Sequence, residues 1–364
     1  MSIAFTPERW ETIRARYETW WSGQSTRPML YLTTPRAPDR PPARLPNKGF
    51  TSHYGLDVEP ADIVDVWDAR LSGTDFLADG FPYVWINFGP GVLAAFLGCE
   101  LRSDANTSWF FPTRQVRPRD LHLRLDPENR WFRHVTALAH AAAARWQGTV
   151  SIGMTDLGGA SDVLASFLTT DHMLTDFYDE PEEIQRLMWE VHTLWWQAWH
   201  TINGAMRGGN AGYSSWTPIY SEQPYYMLQS DFCYMIGPQM FETFVKPDLV
   251  ACCRQLPHAF YHLDGIGELP HLDSLLAIPE LRGIQWIQGD GRGGPMKWLD
   301  VYRRILDGGK LLQMVGKLPE ALAAIDQLAS EGRPVGRIYY NAGIGNDADR
   351  RLAQDFLKRH GSSL

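Results

Sequence analysis

Short apolar runs that close on a polar side chain and a glycine recur along this chain, and stretches of helical period separate them. PMLYLTT (28–34), YVWINF (83–88), TVSIGMT (149–155), HAFYHLD (258–264), RGIQWIQG (282–289), KLLQMVG (310–316) and GRIYYNAG (336–343) read as buried strands, and NAGYSSW (210–216) as a shorter one. Strands that alternate with helices run parallel, because each crossover helix returns the chain to start the next strand in the same direction. About eight such units, with no G-x-G-x-x-G after the first, favour an α/β fold of the distorted (β/α)8 TIM barrel kind over a doubly wound sheet.

The helices between them carry recognisable ends. Thr6-Pro7-Glu8 supplies a cap, a first-turn proline and a first-turn acid for a helix reaching about Trp21. Residues 125–146 read as a long helix capped near Asp126 or the leucine before it, and 181–202 as a second. The stretch 237–256 reads as a helix broken near Pro247. Further helices are expected at 268–277, 296–308 and 317–330, with a last one over DADRRLAQDFLKRH. The Pro/Arg-rich segment 35–49 reads as a loop over an opening. The expected organisation is an N-terminal elaboration, 1–70, containing a candidate lid over 35–58, and a barrel over 71–364.

Composition narrows the function classes. A formal charge of −8 without a long basic run speaks against a nucleic-acid surface and for a small-molecule partner. No run of about 18 apolar residues is present. The charged, amphipathic start lacks a signal-peptide core, so a cytoplasmic location is expected. Four cysteines without C-x-x-C argue against both a disulfide framework and a thiolate metal cage. Of 15 tryptophans, Trp85, Trp109, Trp216 and Trp286 stand beside glycine, proline or polar residues, where they either pack or wall a pocket.

In a parallel barrel, catalytic groups come from the carboxyl ends of strands. The exits here offer Asn87, Asp156, Trp216, His262 with Asp264, Gln285 with Gln288 and Asp290, and Tyr340 with Asn341. Residues two apart on a strand share a face, so His262 and Asp264 point together. Three roles fit: two ligands of a divalent metal, an acid/base pair, or a structural bond from Asp264 to the turn at Gly265. Asp156, in T-D-L-G-G, either closes a turn or meets substrate or a cation. Asp231 stands just ahead of a helix, where capping is its plain role and substrate contact the alternative. Arg102 and His172 read as surface residues.

Residues 229–291 resemble the later half of the uroporphyrinogen decarboxylase superfamily. Its S-P-x-x-F-x-x-F-x-x-P motif is matched by Gly237, Pro238, Phe241, Phe244 and Pro247, and its H-x-C-G or H-x-D-G strand end by His262-Leu263-Asp264-Gly265. Residues 155–184 resemble the superfamily's G-P-x-x-x-A pattern that runs on to P-E. The resemblance implies a distorted (β/α)8 barrel, often dimeric, with its cleft at the strand ends. The decarboxylase's R-x-A-G-R-Y signature has no counterpart, and the strand exits offer no positive groups for a polycarboxylate tetrapyrrole. The methyltransferase branch binds zinc through one His and two Cys. Here His262 stays, Asp264 replaces the first Cys, and Ile344 stands where the second would be. That leaves either a harder ion held with help from Asp156 or Asp231, or no metal.

The resemblance therefore points to methyl transfer on a small methylated organic substrate, with a separate corrinoid protein as donor or acceptor. In that scheme His262 and Asp264 act on the reacting group, Asp156 and Asn341 orient it, and Trp109, Trp216 and Trp286 wall the pocket. Asn87, Asp231, Gln285, Gln288 and Tyr340 complete the expected substrate contacts. A metal-independent decarboxylase or lyase using the His–Asp pair, and a non-catalytic barrel binding a sugar or amine, are the alternatives.

Overall fold

A computed structural model describes residues 3–104 and 106–364. Its strands are β1 (Met29–Pro35), β2 (Thr74–Ala78), β3 (Tyr83–Trp85), β4 (Glu100–Ser103), β5 (Ser108–Phe111), β6 (Ser151–Gly153), β7 (Tyr225–Gln229), β8 (His258–Asp264), β9 (Leu281–Ile287), β10 (Leu311–Met314) and β11 (Ile338–Gly343). Seven form one sheet in the order β2-β1-β11-β10-β9-β8-β7. All its neighbours are parallel except β1 and β2. β3 pairs in parallel with β6 as a separate two-stranded sheet, and β4 with β5 makes an antiparallel hairpin absent from the sequence reading.

The parallel α/β architecture is thus present, but ladder hydrogen bonding does not close the sheet. The interruption lies between the edge strands β2 and β7, where the expected strand 210–216 is only a bridge between Tyr213 and Ser221. Single bonds span that region: Asp79 N–H to Leu30, Ile86 N–H to Gly153, Ala211 N–H to Val150 and Met154 N–H to Ser214. Glycine, serine and proline in NFGPG, DLGG and NAGYSSWTP keep these segments from forming longer ladders. Residues expected in the N-terminal elaboration supply β1, which lies inside the large sheet between β2 and β11.

The sheet separates two apolar layers. Alternate residues of the strands, among them Tyr31, Tyr225, Met227, Phe260 and Tyr339, join Trp10, Ile13, Tyr17, Trp20 and Trp21 from the helix Pro7–Trp21 in one buried cluster. That helix is held by five large apolar side chains, each worth roughly 1.5–3 kcal/mol on burial. The indoles of Trp10 and Trp21 are satisfied by the carbonyls of Thr149 and Tyr220. Three of the 15 tryptophans are thereby spent on packing one end of the sheet. The opposite strand faces, with Tyr261, Leu263, Trp286 and Tyr340, pack under the surrounding helices.

Two helix boundaries differ from expectation for local reasons. The first long helix begins at Arg130, because Asn129 caps it by accepting from Trp131 and Phe132, and Asp126 instead closes the preceding turn onto Glu128. The break near Pro247 is a π-helical turn, Phe241–Val245, set just before the proline, which has no N–H to continue the helical ladder.

Candidate functional site

On β8, Phe260, His262 and Asp264 share one face, with Phe260 in the buried aromatic cluster and the other two above it at the strand's carboxyl end. Register places Gln229, His262, Gln285 and Gln313 side by side on β7, β8, β9 and β10. A polar layer therefore crosses the sheet directly above an apolar one. His262 Nδ1–H donates to Gln285 Oε1, which leaves Nε2 as the free ring atom. Gln313 in turn donates to Asn341 Oδ1 at 3.0 Å. Gln229 and Gln313 were missed by sequence reading; their signal was a polar residue at or one place before the end of an apolar strand.

His262 Nε2 faces two carboxylates, Asp231 at 3.9 Å and Asp264 at 4.0 Å. Asp231 does not cap its helix. The Asp231–Met235 turn begins without a side-chain cap, and the carboxylate of Asp162 accepts from the backbone N–H groups of Asp231 and Phe232 instead. Asp162 also accepts from Gly159, so three donors converge on one carboxylate that the sequence reading passed over. Nor does Asp264 bond the turn: the Gly265 N–H goes to the Ile287 carbonyl. Both carboxylates of the Asp231–His262–Asp264 group are left free to act.

Asp156 lies behind this group and is buried. Its carboxylate accepts from Gly158 at 2.8 Å, so it does close the turn. That turn is tight: a Cβ on Gly159 would stand 2.1 Å from the Gln229 carbonyl oxygen. Desolvation pushes Asp156 up to about 7, with Asp231 adding to it and His262 opposing. Asp162 is raised by desolvation and by Asp231, and Asp231 by desolvation and Asp264 against the pull of His262. Glu268, fully buried and bonded through one oxygen to Tyr261, is pushed well above the carboxylate range by the same causes. Three of these acids, Asp156, Asp231 and Asp264, thus act on one histidine.

The acids border a cleft of about 410 Å³ walled by Trp109, Phe111, Phe232 and Met235, with Gln229, Asp162 and Asp231 at its polar side. Trp109 stands on the β4–β5 hairpin and is 46% exposed. Trp216 lies elsewhere, edge-on to His262 with ring centroids 5.8 Å apart. Trp286 is a correction: it is fully buried on the helix-facing side of β9, against Trp298. Tyr340 is likewise turned away from Asn341, its hydroxyl bonded to the Gly316 carbonyl. One-residue alternation along a strand puts these two rings on the wrong face. Asn87 ties down the chain at Gly49 and Gly89 while lining a separate cavity with Trp216. Gln288 keeps a buried carbonyl oxygen without a partner among the described residues.

Two groups among the described residues bring metal-binding atoms within 4.8 Å of one another: Asp231, His262 and Asp264, and His192, Asp248 and Cys252. The second is closed by a 2.6 Å His192–Asp248 hydrogen bond between helices Pro181–Met206 and Lys246–Gln255. No helix among the described residues is long and apolar enough to cross a membrane.

No family profile matches the sequence, and no curated protein matches it. The fold does have a counterpart among solved structures. A methyltransferase from Methanosarcina mazei superposes with a TM-score of 0.56 at 12% identity, over 94% of this chain and 98% of that one. The chain therefore has a methyltransferase-like fold.

Proposed function

We propose that this chain is an enzyme of the uroporphyrinogen decarboxylase and corrinoid-dependent methyltransferase superfamily, transferring a methyl group between a small methylated organic substrate and a corrinoid carried by a partner protein. The two sheets are then one (β/α)8 barrel whose ladder lapses across β3, β6 and 210–216. Likeness of fold to a methyltransferase supports this reading. The observation that carries it is the convergence of Asp231, His262 and Asp264 at the strand exits, beside an aromatic cleft.

The donor set fits a divalent ion. Two carboxylates and an imidazole whose Nε2 is free suit a harder ion than a pair of thiolates would. Such an ion, when bound, would supply Lewis acidity toward the lone pair that the heteroatom gains as the methyl group leaves. Gln285 fixes the histidine tautomer, and Asp156 and Asp162 brace the loops that carry the ligands. Trp109, Phe111 and Phe232 take the apolar methylated body, and the excess of carboxylates favours one that is positively charged. Loss of a methyl group from such an ammonium breaks a C–N bond and leaves a neutral amine, so no proton has to move.

Metal content of protein purified without chelator or histidine tag, followed by turnover of methylamines with a methyl-accepting corrinoid, tests the proposal. Stoichiometric divalent metal in the wild type, lost in both Asp231→Ala and Asp264→Ala together with turnover, is the expected result. Metal-free protein that transfers no methyl group would overturn it. The second reading, a decarboxylase or lyase using proton transfer, is favoured by Asp156 holding a proton near neutrality close to His262.

A further inference from the structure

A second cavity shares no lining residue with the first, and its chemistry is opposite in sign. It holds about 330 Å³ and is lined by Lys48 and Arg70 among Tyr31, Tyr83, Trp85 and Trp216, with no acidic side chain in its wall. In a chain of net charge −8 that is an unusual lining. Sequence reading found no positive group at the strand exits; these two come instead from the 35–49 loop and the helix Pro60–Ser72.

Arg70 differs from the arginines around it. Arg40 pairs with Asp68, Arg145 with Asp65, and Arg36 with Asp39. Arg70, on the same helix as Asp65 and Asp68, has no ion pair or side-chain hydrogen bond among the described residues, and its electrostatic neighbours are the hydroxyls of Tyr31, Tyr83 and Tyr54. The Arg70 side chain is exposed, so it stands open to an incoming anion at the cavity wall, and its planar fork matches a carboxylate. The indole N–H of Trp85, buried and without an acceptor among the described residues, belongs to the same wall and adds a donor. Trp216 is shared: it lines this cavity and meets His262 edge-on.

We propose that Arg70 and Trp85 form a carboxylate-binding subsite, and that the substrate is a small molecule with a carboxylate at this end and its reacting group on the His262 side of Trp216. Two cations in a cavity of this size suit one carboxylate group, not a polycarboxylate tetrapyrrole. The bipolar substrate rests on the function proposed above; the carboxylate subsite does not.

Binding of pentanoate, its neutral analogue pentanamide and 5-(trimethylammonio)pentanoate, followed by calorimetry, tests it. Wild-type protein is expected to bind pentanoate at least 10-fold tighter than pentanamide. Arg70→Gln should abolish that preference, Arg70→Lys should restore part of it, and His262→Ala should leave it intact. The trimethylammonio compound should bind tighter than pentanoate, an advantage lost in Asp231→Asn. Equal binding of acid and amide, a preference that survives Arg70→Gln, or displacement by inorganic phosphate but not by pentanoate would overturn the subsite. Should Arg70→Gln not fold, Trp85→Phe removes one N–H alone and is expected to weaken pentanoate several-fold without affecting pentanamide; unchanged pentanoate binding there counts against the proposal. Carboxylate selectivity without methyl transfer would defeat the proposed function and leave the subsite standing, and the reverse would defeat the subsite alone.

Discussion

Replacing Asp156 by asparagine sets the electrostatics of the site against the stability of the chain. The residue is 5% exposed, its carboxylate accepts from Gly158, and desolvation lifts its pKa from 3.8 to about 7. Between those two values the folded protein keeps a proton that the unfolded chain has released. Stability therefore falls as pH rises through that window. Below the lower value both states are protonated and the residue contributes nothing; above the upper one the buried carboxylate is ionised in place and its full cost is present. A gap of about 3 units, at about 1.4 kcal/mol per unit, amounts to roughly 4 kcal/mol. Asparagine cannot ionise but keeps the oxygen that accepts from Gly158. The variant is thus expected to exceed the wild type by a few kcal/mol at about pH 8, with the advantage shrinking steadily toward about pH 4.5. Urea denaturation of both proteins across this range, with chelator present so that no cation neutralises the site, reads the difference directly. A stability difference that does not change with pH would refute the reasoning, since it would mean that Asp156 ionises in the fold as it does in the unfolded chain.

Two further predictions concern the framework that positions the site. His258 stacks on Trp21 with centroids 4.1 Å apart, and burial, helped by Arg282, lowers its pKa from 6.5 to about 4. Its neutral form is favoured by folding, so it takes stability away as pH falls from 6.5 toward 4. Because the ring is partly exposed, the roughly 3 kcal/mol that the shift implies is discounted to about 1–2 kcal/mol. His258→Phe keeps an aromatic partner for Trp21 and should flatten the stability profile over this range; an unchanged slope would place the titration elsewhere. Asp79, fully buried, receives Arg16, a two-pronged bond from Arg27 and the Leu30 N–H. Asp79→Ala leaves these donors facing a void and is expected to cost about 3–5 kcal/mol in denaturant unfolding; a loss below about 1 kcal/mol would show that water takes over the role.

Local pattern was enough for most of the parallel strands and their polar exits, though not for β7 or the antiparallel β2. The run from His258 to Asp264 could be read directly, because burial on both faces of a parallel strand leaves a continuous apolar signature and the exit is marked by a switch to polar residues and Gly265. The same pattern placed His262 and Asp264 on one face, since alternation is a property of the extended backbone itself. It failed for Trp286 and Tyr340, where a tryptophan or tyrosine near an exit looks alike whichever way it points, and the register between neighbouring strands decides which layer it enters. It failed again for 210–216, where Ala211 and Ser214 make single backbone bonds to Val150 and Met154, not a ladder.

The site itself depends on contacts distant in sequence. Asp231 becomes a partner of His262 because Asp162, 69 residues earlier, takes over the backbone donors that Asp231 would otherwise answer. Gln285 chooses the histidine tautomer from 23 residues away, and Arg70 is left without a counter-ion only because Asp65 and Asp68 on its own helix turn toward other arginines. Spacing along a chain reports which side chains share a local face. Which charge is answered, and which is left open to a ligand, is a sum over neighbours that folding alone brings together.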